Sequence, residues 1–106
     1  MRFHWDAWNS SHIAAHGVIP SEAEQAVRDR YRVALPGRQV RGEERGVLLG
    51  AADRGEAEVV LFVVYTVRAG RLRVVTTYEA RPTHRRRYFA HRTARTESEE
   101  ATNDEV

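Results

Sequence analysis

The stretch VVLFVVYTV, from Val59 to Val67, constrains the fold more than any other part of the chain. Its residues are β-branched, aromatic or leucine, the types that pack best on a pleated surface. A membrane-spanning helix needs about 20 such residues, so this run is too short to be one. It lacks the alternation of a strand with one wet face, so it predicts a central strand covered on both faces. The remainder of the chain must supply those two covers.

The flanking segments read as short elements. MRFHW alternates and predicts a short edge strand. Asp6 predicts the N-cap of a first helix, with Trp8, His12 and Ala15 on one face and Gly17 as its left-handed stop. A second helix follows Pro20, with Ser21 and Glu24 as a capping box and Ala23, Ala26 and Val27 as a thin apolar stripe. YRVAL predicts a strand, PGRQVRGEER a turn-rich charged loop, and GVLLGAA a strand. DRGE and AGR are turns around the central strand, and LRVVTTYEA is the last strand. Pro82 and Thr83 open a basic helix whose large apolar anchors are Tyr88 and Phe89. The expected fold is α+β: a short strand and two helices packed on a curved antiparallel sheet of about four strands, then a C-terminal helix.

Charge is unevenly distributed. All 17 basic residues are arginine. Residues 96–106 hold five acids and no base, which leaves residues 1–95 with 17 bases against 10 acids, a net +7. This divides the chain into a single domain, 1–95, and an acidic tail, 96–106, expected to be disordered because it has nothing to bury. Arginine suits phosphate because its planar fork binds two oxygens and stays charged. A body this basic fits a polyanion or an acidic protein partner; an arginine-rich solvated surface is the bland alternative. The opening residues are polar and broken by charge, unlike a secretory leader. With no cysteine, disulfide and thiolate chemistry are excluded.

Few residues suggest catalysis on their own. His12 and His16, four apart on a helix, have the spacing of a metal pair, but no third ligand accompanies them and no metal is expected. His16 also suits a helix C-terminus, or acid–base work near neutral pH. Glu43 and Glu44 are adjacent and point opposite ways in a strand. Arg68, Arg71 and Arg73 bracket the turn after the central strand, and Arg81, Arg85, Arg86 and Arg87 follow the last one. Together they predict a positive groove able to hold an RNA backbone. Trp5, Trp8, Tyr65, Tyr78 and Tyr88 are candidates for stacking on bases or for filling the core.

The order HWD, HGV, EAEQAV, GEER, LG, LFVVYTVRAGRLRVVT and RRRY, across residues 3–89, resembles the BrnT family, the toxins of a type II toxin–antitoxin system. The resemblance implies a RelE-like fold and a ribonuclease that stops translation in the bacterial cytoplasm without a cofactor. It implies a BrnA-like ribbon–helix–helix antitoxin as partner, DNA contact only through that antitoxin, and no membrane. A homodimer or a toxin–antitoxin heterotetramer is compatible with it. The chain departs from the family's usual residues: Asn9 and Ala15 stand where lysine is common, His12 where asparagine is, Tyr78 where arginine is, and His84 where glutamate is.

Read through the resemblance, Glu44 or His16 takes the proton from a ribose 2′-hydroxyl. Arg45, Arg68, Arg73 and Arg81 hold the phosphate, and Tyr88 or His84 protonates the leaving oxygen. Arg71, Arg85, Arg86 and Arg87 extend the RNA-binding surface. Glu44 and Arg45 serve equally as a salt bridge pinning a loop. The arginine replaced by Tyr78 favours a second reading, a catalytically inactive BrnT-like basic domain that binds protein or nucleic acid. In a third, the acidic tail lies over the basic helix and competes with RNA.

Overall fold

The chain is described from a computed structural model over residues 1–104. The order is β1 (Arg2–Phe3), α1 (Ala7–Ala14), α2 (Pro20–Arg28), β2 (Val33–Val40), β3 (Glu43–Arg54), β4 (Ala57–Arg68), β5 (Arg71–Glu79) and α3 (Pro82–Asp104). The fold is α+β, and the sheet has five strands in the order β1-β5-β4-β3-β2. β2 to β5 form the expected antiparallel meander. β1 pairs parallel to β5, which makes the sheet mixed rather than wholly antiparallel.

β4 occupies the centre, as its apolar run requires. Val59, Leu61 and Val63 face α1 and α2 in one core with Ile13, Val18, Ala23 and Ala26. Val60, Phe62 and Val64 face α3 in a second core with Val47, Leu49 and Tyr88. The two covers therefore lie on opposite faces of the sheet.

Helix α1 stops as its glycine predicts. Gly17 has φ +74°, Gly17 N–H donates to Ala14 and Val18 N–H donates to Ile13. This six-to-one and five-to-two pairing is a Schellman end, closed by contact between buried Ile13 and Val18. α2 begins two residues earlier than the Ser21 capping box would place it, with Ile19 at the capping position. Pro20 opens the helix, and Glu22 reaches back to accept from Ile19 N–H at 3.1 Å. Glu24 instead accepts from the Trp5 indole at 2.8 Å. α2 lies close on the sheet at Gly50, where a Cβ would come within 2.0 Å of the Ala26 carbonyl oxygen.

Two expectations are corrected. PGRQVRGEER is not a loop: it forms the end of β2, a two-residue turn at Arg41–Gly42 and the start of β3. Pro36 is accommodated because β2 is an edge strand and its register shifts between Leu35 and Arg38. The acidic segment from Thr96 to Asp104 continues α3 as helix, crossing the boundary drawn at Arg95. It does find partners, since Glu99 accepts from Arg30 at 2.9 Å and from the Tyr31 hydroxyl at 3.3 Å. In a continuous helix these acids lie beyond the basic turns on one axis and do not fold back over them. The last two residues of the expected tail lie outside the described residues. Among the described residues no helix is long and apolar enough to cross a membrane.

Candidate functional site

Helix α1 is fastened along the stretch of β5 that β1 leaves uncovered. Asp6 and Asn9 cap each other reciprocally, with Asn9 N–H to Asp6 Oδ1 at 3.0 Å and Asp6 N–H to Asn9 Oδ1 at 2.8 Å. The fully buried Asn9 amide donates to the carbonyls of His4 and Val74. Arg73 donates to both oxygens of Asp6, at 2.9 and 3.3 Å. That pairing, with the Asn9 N–H, pulls the Asp6 carboxyl down to about 2. Arg73 is thus buried and its charge already matched, while Arg71 is exposed. Arg71 and Arg73 stand two apart in an unshifted stretch of β5, as alternation requires, but Arg73 is paired with Asp6, which leaves Arg71 as the exposed charge.

Once fastened, α1 presents Trp8, His12 and His16 one above another, as residues four apart must be. Trp8 and His12 stack with centroids 5.3 Å apart and planes within 2°, and His12 meets His16 edge-on at 5.7 Å. The file then continues across the open edge of β5. His16 lies 6.0 Å from Tyr78, Tyr78 stacks on Phe62 at 5.0 Å, and Phe62 stacks on His84 at 5.3 Å. Six rings from three regions of sequence form one continuous strip. Its histidines His16 and His84 stand at opposite ends of the Tyr78–Phe62 stack. His16 is exposed at the end of α1, and His84 is half-buried in the first turn of α3. Three of the departures noted in the sequence, His12, Tyr78 and His84, fall within this strip. Among the described residues no cluster of three or more histidine, cysteine, aspartate or glutamate side chains is arranged to hold a metal.

Arg81 immediately precedes α3, and its carbonyl accepts the first helical hydrogen bond, from Arg85 N–H at 2.9 Å. Arg85 lies over Phe89, 4.8 Å from the ring centre. Arg81, Arg86 and Arg87 are exposed, and none has an ion pair among the described residues. This helix carries its charges against its own dipole, with arginines at the positive N-terminal end and Glu97, Glu99 and Glu100 towards the other. Each charge set this way costs about 0.3–1 kcal/mol near a helix end, and an anion at the N-terminus relieves it.

The GEER segment occupies a different place. Thr66, four residues along β4 from Phe62, donates to the Glu44 carbonyl at 3.0 Å, so this end of the sheet lies roughly 13 Å from the ring strip. Here Glu43 binds Arg68 at 2.7 Å and lies 3.4 Å from Arg45, an approach too poorly aligned to be a hydrogen bond. The Arg68 contact draws the Glu43 carboxyl below its ordinary range. Glu44 is exposed, beside a cleft of about 1020 Å³ lined by Arg38, Arg41, Arg45 and Tyr65. Glu44, Arg45 and Arg68 therefore share one end of the molecule. His16, His84, Arg81 and Arg85 share another, and the fold does not bring the two sets together.

Tyr88 must be removed from the proton donors. It is fully buried, donates its hydroxyl to Asp29 and receives Arg92 at 3.5 Å. Burial, then the Asp29 carboxylate, pushes its phenol well above the ordinary range. Asp29 also accepts from Tyr31 N–H and from Ala51 N–H, at 2.9 and 2.8 Å, so this network ties α3 to the turn after α2 and to β3. Sequence reasoning missed Asp29, which has no motif around it. It also missed the role of Phe62, hidden within an apolar run.

The sequence model of a family described as the ribonuclease toxin BrnT of type II toxin–antitoxin systems matches residues 5–84. The match takes in α1, α2, strands β2 to β5 and His84, and stops short of the arginine run that follows. No curated protein sequence matches the chain.

Proposed function

The chain belongs to the BrnT family of ribonuclease toxins from type II toxin–antitoxin systems, and from that premise we propose that it cleaves RNA, without a metal, at the ring strip between α1 and α3. The observation that carries this reading is the placement of His16 and His84 at the two ends of the Tyr78–Phe62 stack. Imidazole is the side chain best suited to exchange protons near neutral pH. His16 takes the proton of a ribose 2′-hydroxyl, whose oxygen attacks the adjacent phosphorus. The bond to the 5′-oxygen breaks, His84 protonates that leaving oxygen, and a 2′,3′-cyclic phosphate remains. Arg81 and the N-terminal end of α3 stabilise the charge that builds on the phosphate. Arg85, Arg86 and Arg87 hold the flanking backbone.

The family's antitoxin partner is, in this reading, a BrnA-like ribbon–helix–helix protein. Its acidic segment covers the same arginines, translation stops in its absence, and the site of action is the cytoplasm. Arg73, neutralised by Asp6, favours the second reading, a basic domain that binds without cutting.

The deciding experiment follows cleavage of a labelled RNA in EDTA by the wild type, His16→Ala, His84→Ala and the double variant, with growth on induced expression alongside. The expected result is a cyclic-phosphate product from the wild type and a loss of about 10²–10⁴ for each single variant. The double variant loses little more, since the pair acts as a unit. Intact activity in both histidine variants and its loss in Glu44→Ala would move the chemistry to the GEER end. Intact RNA with normal growth would leave the non-cutting domain.

A further inference from the structure

Trp8 is the largest exposed apolar side chain among the described residues, with 63% of its surface in solvent. A tryptophan is expensive to leave in water, and nothing in the fold requires this one: the cap, Asn9 and Ile13 already fasten α1. Its sequence partner Trp5 is half-buried and hydrogen-bonded to Glu24. Trp8 is nevertheless held in a defined pose, because its ring lies flat against His12 and Arg73 stands 6.0 Å from its centre. The indole is therefore backed by imidazole, and beside it lies an open hollow that Trp8 lines together with Ala7, Ser11 and His12.

We infer that Trp8 is a stacking platform for a nucleobase of single-stranded RNA, displaced along the strand from the bond that is cut. The inference rests on the reading of the strip as an RNA-cleaving site and deepens it by adding a subsite. Three observations select a base as the occupant. The strip is already a file of rings, so a base on Trp8 prolongs its stacking. Trp8 stands eight residues before His16, about 12 Å along the helix axis, so a base stacked on it belongs to a nucleotide beyond the scissile one. And the backbone joining the two positions would pass the unpaired arginines at the start of α3 at only one end. Trp8 must then hold its nucleotide by the base and not by the phosphate, because the nearest cation, Arg73, is committed to Asp6.

The test uses a 2′-O-methyl oligonucleotide, which has no free 2′-hydroxyl and cannot be cut, and an abasic oligonucleotide of the same length. Binding of each to the wild type, Trp8→Ala and Trp8→Phe is measured by anisotropy at one salt concentration, with circular dichroism as a check on folding. The expected result is that Trp8→Ala binds the oligonucleotide about 5- to 100-fold more weakly. Trp8→Phe keeps most of the affinity, and the abasic strand binds all three proteins alike. Equal binding of the oligonucleotide by wild type and Trp8→Ala overturns the subsite, even where the wild type cuts RNA. An equal loss on the abasic strand also overturns it, because the effect would then be on the backbone. A wild type that binds the oligonucleotide through Trp8 but cuts no RNA would retain the platform and sink the ribonuclease reading instead.

Discussion

Arg73 reaches from β5 to Asp6 at the start of α1, 67 residues away in sequence, through two hydrogen bonds of 2.9 and 3.3 Å. The arginine side is buried and the aspartate side is 43% exposed, so the pair sits at the rim of a core. Asp6 also caps α1. One carboxylate therefore sets the helix end and its docking to the sheet, and both depend on its charge.

The pair gives stability a defined acid limb. The Asp6 carboxyl titrates at about 2 in the folded protein against an ordinary 3.8. A depressed folded value means that the unfolded chain takes up the proton first. The contribution is therefore complete above pH 3.8 and fades as the pH falls towards 2. Glu22 beside Arg54 and Glu43 beside Arg68 are shifted the same way and add to the same limb. Asp6→Asn keeps a good cap but not the charge. Urea midpoints are expected to be lower for Asp6→Asn than for the wild type at pH 7 and to converge near pH 2. A constant gap at all pH values would detach the pair from acid stability.

Tyr88→Phe separates structure from chemistry. The substitution removes the hydroxyl that Asp29 accepts, leaving that carboxylate with the N–H groups of Tyr31 and Ala51. Stability is expected to fall by about 1–3 kcal/mol. Cleavage per folded molecule is expected to stay unchanged, because the hydroxyl is buried between α3 and the sheet. A large loss of rate in fully folded protein would restore Tyr88 as a proton donor.

Gly50→Ala is expected to be among the most damaging small changes in the chain. The new Cβ would meet the Ala26 carbonyl at 2.0 Å, backbone against backbone, so no side chain can move aside. α2 would have to lift from β3 and loosen the packing of Ala23, Ala26 and Val27. A loss of about 3 kcal/mol or more follows from overpacking of this kind. Thermal melting checks it, and a change in melting temperature of only a degree or two would mean that α2 shifts freely on the sheet.

Much of the fold was legible because local signals and long-range packing agreed. The central strand, the Asp6 cap, the Gly17 stop and the Ala23–Ala26–Val27 stripe each need only a few neighbouring residues to be recognised. The site was harder. His16, Tyr78 and His84 were each visible as chemistry, but the file they form closes around a sheet edge that exists only after β1 leaves most of β5 uncovered. Arg73 and Tyr88 carry the right functional groups for catalysis, and burial against Asp6 and Asp29 gives them other work. Glu44 shares a motif with Arg45, yet the length of β4 keeps both far from the histidines. Side-chain chemistry is written in sequence, whereas convergence is a property of topology.

The start of α3 offers a direct trade between stability and function. Arg81 occupies the capping position, where aspartate is among the preferred residues, and the first turn of the helix holds no acid. Pro82 already favours the extended backbone that a cap requires at Arg81. Arg81→Asp is therefore expected to raise stability by about 1 kcal/mol, through a side chain that can cap the free N–H groups and a charge that suits the dipole. The same change places a carboxylate where the phosphate is to be held, so RNA cleavage is expected to fall at least about tenfold, the effect of losing one charge contact and gaining a repulsion. Thermal melting and cleavage of a labelled RNA at fixed ionic strength, run on the same preparation, read the two effects separately. A more stable variant with undiminished cleavage would show that the positive end of α3 does not face the substrate, and would leave the inverted charge order of the helix to the antitoxin alone.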